Sequence, residues 1–238
     1  MQQSNFDSFS NEWWKKDGPL KLLHSMNKTR LLFIQERLLN RYKSLKQINN
    51  IFSKKSILDL GCGGGILSES LAKKGANVTA IDTARSLIDI AKKRAIKEKL
   101  KINYKIGDIE SIKNKKIKFD IIISLEVIEH VENYKSFLKG IFSCLNKNGL
   151  IIISTINRSF FSYLSTILFA EKILKLVPSG THDWKKYVKP EEIEEFANKY
   201  GFLLDKKCGL LPVPIGSNFN WIRTNGVSSN YILSLTKD

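Results

Sequence analysis

The sequence predicts an α/β fold: a mostly parallel sheet covered by helices on both faces. Three observations predict it. From Ser56 to Thr155 short apolar runs alternate with helix-like segments, the order in which crossover helices link parallel strands. Most of these runs are too apolar for strands with one wetted face, so both faces must be covered. Glycines and acids cluster where the runs end, and open parallel sheets bind ligands beyond the carboxyl ends of their strands.

The elements follow in order. Leu20 to Asn50 reads as a helix ahead of the sheet. Strands are expected at Ser56 to Leu60, Asn77 to Asp82, Ile102 to Lys105, Phe119 to Leu125 and Gly149 to Thr155, with helices between them, the first opening at Ile66. Ser159 to Val177 reads as an inserted helix. Pro190 to Tyr200 reads as a helix with proline in its first turn, where the missing N–H costs nothing, and Asn230 to Thr236 as a last strand.

At 238 residues the chain suits one sizeable domain. Thirty-nine basic against 23 acidic residues give a net charge of +16. That balance fits an anionic surface, and scattered lysine beside abundant Ile and Asn fits coding bias equally well. Three cysteines, Cys62, Cys144 and Cys208, have neither disulfide-framework nor zinc-ligand spacing, which suits a reducing compartment. No secretory signal and no apolar stretch long enough to span a bilayer is visible.

The ligand address is Asp59-Leu60-Gly61-Cys62-Gly63-Gly64-Gly65. Glycines let a backbone turn sharply and approach a ligand closely, and the following helix directs free N–H groups at the same spot. A nucleoside-like ligand is expected. The dinucleotide fingerprint fails, because counting from Gly61 the sixth position is Ile66 and not glycine. Asp59, Gly61, Gly63 and Gly65 instead form an Asp-x-Gly-x-Gly-x-Gly pattern, which resembles motif I of class I methyltransferases, where the loop cradles the amino-acid end of S-adenosylmethionine. Asp82 ends the next strand about twenty residues after the loop, where an acid that grips ribose hydroxyls is expected.

Beyond the fourth strand comes Leu125-Glu126-Val127-Ile128-Glu129-His130. If this opens a helix, Glu126, Glu129 and His130 stand at i, i+3 and i+4 on one face and form a candidate site for a hard divalent cation such as Mg²⁺. Acids at a helix start are also favoured by the dipole alone, and the histidine then has a merely structural part.

Taken with Trp13-Trp14, Leu23-His24-Ser25-Met26-Asn27-Lys28-Thr29-Arg30 and Val177-Pro178-Ser179-Gly180-Thr181-His182-Asp183, these residues make the chain resemble the ubiquinone-biosynthesis O-methyltransferases over nearly its whole length. The resemblance implies a Rossmann-like, S-adenosylmethionine-dependent O-methyltransferase with a seven-stranded sheet, acting on phenolic hydroxyls of polyprenyl catechol or quinol intermediates. It divides the single domain into an N-terminal helical cap (1–55), a cofactor-binding core (56–156), an insertion (157–189) and C-terminal helix and strands (190–238). Arg30, Gly61, Asp82 and Leu125 would contact the cofactor, and Asp108 would meet the adenine edge or simply form a turn. Glu126, Glu129 and His130 match a divalent-metal set described for eukaryotic members.

A phenol has a pKa near ~10 and needs help losing its proton at neutral pH, so His130 is the first candidate base, with Glu126 and His182 beside it. Asn157 and Arg158 would border the acceptor pocket. Phe160 to Phe169, followed by Lys172 and Lys175, gives an apolar face with basic flanks, either an interfacial helix or a lid. The expected partners are the polyprenyl substrate, an anionic membrane surface and other enzymes of the pathway, in the cytoplasm at the inner membrane face or on the matrix side in a eukaryote. Rival readings are a C-methyltransferase of quinone synthesis, an RNA methyltransferase exploiting the charge, and a scaffold with a dead cofactor fold.

Overall fold

A computed structural model describes residues 12–15, 17–18, 20–42, 51–159, 162, 184–215 and 218–237. Most of the expected insertion lies outside these residues, including the Phe160 to Phe169 stretch apart from Ser162, and His182. Residues 43–50, the expected end of the first helix, also lie outside them.

Helix α1 (Lys21–Arg41) precedes strand β1 (Ser56–Leu60), α2 (Ile66–Ala72), β2 (Asn77–Asp82), α3 (Arg85–Lys97), β3 (Ile102–Ile106), α4 (Ile109–Lys113), β4 (Phe119–Leu125), α5 (Tyr134–Ser143) and β5 (Leu145–Ile156). Helix α6 (Pro190–Asn198) leads to β6 (Leu203–Ile215), β7 (Asn218–Thr224) and β8 (Asn230–Thr236). The sheet order is β3-β2-β1-β4-β5-β8-β6-β7. Strands β1 to β5 pair in parallel, and β8, β6 and β7 join antiparallel to their neighbours.

The strand sequences explain the double covering. Ile57 packs into one core and Leu58 into the other; Ile121 and Ile123 face one side while Ile122 faces the opposite side. Each of these side chains is fully buried. With both faces apolar the strands show no period-2 pattern, and burial contributes about 1.5–3 kcal/mol per large aliphatic side chain. One core lies under α1, α2 and α3, with Phe33, Ile34 and Leu38 from α1; the other lies under α4, α5 and α6, with Leu138, Ile141 and Ile193.

The sheet has eight strands, one more than expected. Strand β6 pairs with β8 only as far as Leu210; from Gly209 to Ile215 it pairs with β7, which becomes the new edge. Pro212 and Pro214 obscured this, since proline within a run argues against a central strand. Beyond Leu210, however, β6 has no β8 neighbour on one side, and two residues apart the prolines drop their donors on the same side. Helix α1 anchors the edge: Thr29 Oγ1 donates to the Trp221 carbonyl at 2.8 Å, and Trp221 Nε1 donates to Ser25 Oγ at 3.1 Å.

A second correction concerns the segment after β4. It does not open a helix at Leu125. Only Ile128–His130 makes a single 3-10 turn, and α5 starts at Tyr134, where the Asn133 side chain caps it by accepting from the Ser136 amide at 3.0 Å.

Candidate active site

A cavity of 210 Å³ opens at the carboxyl ends of β1, β2 and β4. Its floor is the glycine loop between β1 and α2. The amides of Gly61 and Cys62 both donate to the Ile81 carbonyl, at 2.8 and 3.0 Å, which ties the loop to β2. Gly61 has φ +77° and a side chain there would collide with Val127; Gly63 has φ +52° and a Cβ would lie 2.6 Å from the Trp13 ring. Both positions therefore require glycine. Gly65 caps α2 and faces the Tyr104 hydroxyl, away from the cavity lining.

Three aspartates line the cavity. Asp82 is held by backbone, its Oδ2 accepting from the Gly63 amide at 2.8 Å and its Oδ1 from the Ala84 amide at 2.9 Å, which fixes the carboxylate at the end of β2. Asp59 is 3% exposed and accepts from Ser68 Oγ at 2.5 Å. Burial pushes its pKa up to about 6, with Asp82 adding repulsion against the opposing Ser68 bond. Asp108 caps α4 by accepting from the Ser111 amide at 3.0 Å through Oδ1 and also lines the cavity, so capping the turn does not take it out of the lining.

Arg30, Leu125, Glu126 and His130 complete one wall. Glu126 has φ +57°, and its amide donates to the Ser154 carbonyl at 2.9 Å. Its carboxylate takes Arg30 Nη2 and Ser154 Oγ, both at 2.7 Å on Oε1, and Asn230 Nδ2 at 3.4 Å on Oε2. Glu129 turns the opposite way. It is 4% exposed and accepts from Thr155 Oγ1 at 2.7 Å, and burial together with the Glu126 charge pushes its pKa up to about 8. His130 stands exposed at the cavity edge.

The expected metal set of Glu126, Glu129 and His130 is therefore not assembled. A helix would have stacked the three on one face; the left-handed residue and the 3-10 turn separate them. Among the described residues no three His, Cys, Asp or Glu side chains are placed to hold a metal. These residues as placed do not fit Mg²⁺.

Outside the cavity lining, Arg158 pairs with Glu192 at 2.5 Å, and Asn157 Nδ2 donates to the Val227 carbonyl at 2.7 Å. Sequence reasoning assigned no cavity role to Trp13, Asn27, Val127 or Phe137, all of which line it. Trp13 had a signal, because a loop of consecutive glycines implies that something bulky fills the space their side chains leave. Its carbonyl is held by His24 Nε2 at 2.8 Å, and its ring covers Gly63 and Gly64.

These residues fit S-adenosylmethionine. Arg30 is buried, and its Nε has no hydrogen-bond partner, which marks an acceptor still to come. Asp82 offers the cavity a carboxylate acceptor of the kind ribose hydroxyls need, and the apolar side chains of Leu125, Val127 and Phe137 can exclude water from a reacting sulfonium.

A family model described as a methyltransferase domain matches residues 30–207. The chain is 41% identical to a ubiquinone biosynthesis O-methyltransferase of Pelagibacter ubique, over 98% of this chain and 95% of that protein. It is 37% identical to one of Coxiella burnetii, over 99% of this chain and 94% of that protein. Among solved structures, magnesium protoporphyrin IX methyltransferase from Synechocystis with bound SAH matches with a TM-score of 0.64 at 17% identity, covering 98% of this chain and 96% of that one. At that identity the likeness bears on the fold alone.

Proposed function

The chain belongs to the ubiquinone biosynthesis O-methyltransferase family, and on that premise we propose that it methylates phenolic hydroxyls of polyprenyl catechol or quinol precursors of ubiquinone, with S-adenosylmethionine as donor. The observation that carries the reading to these residues is the convergence of Arg30, Asp82 and the Gly61–Gly63 loop on one cavity, with His130 at its edge.

Bound S-adenosylmethionine supplies an electrophilic methyl group. The chain's task is to align donor and acceptor and to assist one deprotonation. Arg30 takes the cofactor carboxylate, for which its planar fork is suited. Asp82, already oriented by two backbone amides, accepts from the ribose hydroxyls. The backbone of Leu125 and the loop at Asp59, Gly61 and Gly63 shape the cradle, Gly65 capping the helix behind it, and Asp108 stands near the adenine edge. His130 removes the phenolic proton through a ring nitrogen. His182 is a second candidate base, outside the described residues.

No helix among the described residues is long and apolar enough to cross a membrane. The prenyl tail of the substrate and the +16 charge support peripheral contact with an anionic membrane surface, at the cytoplasmic face, alongside other enzymes of the pathway. The experiment is direct: incubate the protein with methyl-labelled S-adenosylmethionine and a short-chain prenyl catechol. Label in a methyl ether with loss of one free phenol is expected; label on ring carbon, or none, would overturn the assignment.

A further inference from the structure

We propose that Arg30 and Glu126 together form a charge-matched receptor for an α-amino-acid zwitterion, the methionine end of the donor, Arg30 taking the carboxylate and Glu126 the ammonium. This rests on the cofactor reading above and assigns Glu126 a positioning and binding part in place of a base or metal ligand.

Burial and geometry carry it. Arg30 is 3% exposed, yet its Nε is buried with no partner. A guanidinium removed from water with an unmet donor is unfavourable unless a further acceptor arrives. Glu126 Oε1 is committed to Arg30 Nη2 and Ser154 Oγ, whereas Oε2 has only the long 3.4 Å contact from Asn230. The Glu126 side chain remains 23% exposed and lines the cavity beside Arg30. The cavity wall thus offers one unmet donor and one under-used anionic acceptor on a single ion pair. A ligand end bearing an adjacent carboxylate and ammonium satisfies both without changing the net charge of the wall.

The backbone supports the same reading. Glu126 is held at φ +57°, a region L side chains rarely adopt, by its amide bond to Ser154, and the same Ser154 steadies its carboxylate. Asp59, the buried acid of the cavity, already accepts from Ser68, and Glu129 accepts from Thr155 away from the cavity. Glu126 is the carboxylate paired with Arg30, and its Oε2 has capacity to spare.

The test is calorimetric titration of the full chain with two probes. S-adenosylhomocysteine carries the amino-acid end; 5′-deoxy-5′-methylthioadenosine lacks it. Glu126→Gln is expected to weaken S-adenosylhomocysteine by roughly 10- to 100-fold, the range for a charge-assisted pair, and to leave methylthioadenosine within about twofold. Glu126→Asp, restoring the charge, is expected to recover part of the loss. Should Glu126→Gln fail to fold, Ser154→Ala loosens the carboxylate without touching its charge and is expected to weaken S-adenosylhomocysteine alone by several-fold. Equal loss of both probes, or no loss of either in a folded variant, overturns the receptor. Failure of the wild-type chain to bind either probe would instead overturn the cofactor reading beneath it.

Discussion

Asp82→Ala is expected to weaken S-adenosylhomocysteine binding by roughly 10- to 150-fold. In the folded protein the carboxylate accepts two backbone amides, Gly63 at 2.8 Å and Ala84 at 2.9 Å. Bonds to a charged acceptor contribute about 1.5–3 kcal/mol each, but Asp82 is only half-buried, so in the variant without ligand water can reach both amides. The loss of fold stability is therefore expected to be small, about 1–2 kcal/mol. Ligand binding removes that water. The Gly63 amide is then left without an acceptor, and the ribose hydroxyls lose theirs, a combined cost to affinity of about 1.5–3 kcal/mol, or one to two decades at about 1.4 kcal/mol each. Calorimetric titration of both proteins, with thermal unfolding as the control for folding, measures it. A cooperatively folded variant that binds within about threefold of wild type would refute the assignment of Asp82 to the ribose.

Three further outcomes are expected. His130→Ala should lower kcat by roughly 10²- to 10⁴-fold, the usual worth of a positioned base, and leave S-adenosylhomocysteine affinity unchanged; undiminished kcat in steady-state assays would remove His130 from the chemistry. Turnover should survive EDTA, because no three suitable side chains converge among the described residues; loss reversed by Mg²⁺ would show that a metal site assembles after all. Asp59, raised to about 6 by burial, binds its proton more tightly folded than unfolded, so its favourable contribution is present at low pH and is lost as pH rises through about 6. Asp59→Asn keeps an acceptor for Ser68 and removes the dependence, so its stability relative to wild type should improve by about 1–1.5 kcal/mol between pH 5 and 7.5 in urea unfolding. Parallel pH profiles for the two proteins would contradict that environment.

Much of the core was legible because it is local. Strands β1, β2, β4 and β8 fall where apolar runs bounded by turns and acids place them. The glycine loop was legible for a related reason: positive φ and close approach are conditions that glycine alone meets cheaply, so the requirement is written in the residue type. The β6–β7 hairpin was not, since two prolines argue against a strand until it is clear that one side of β6 has run out of neighbours.

The segment after β4 separates the two kinds of information most sharply. Sequence spacing alone placed Glu126 and His130 at the ligand end of the sheet, and both line the cavity. It did not decide which way each carboxylate turns. That depends on Arg30 from α1, Ser154 and Thr155 from β5 and Asn230 from β8, residues between 26 and 104 positions away along the chain. A helix would have gathered Glu126, Glu129 and His130 on one face; instead, partners from three other elements draw Glu126 to a guanidinium at the cavity and Glu129 into the core. Short-range sequence determines which groups arrive at the site, because backbone preference and hydrophobic pattern act over a few residues. Only the tertiary structure decides what each group does there, because hydrogen-bond partners and burial are set by segments that meet only when the chain has folded.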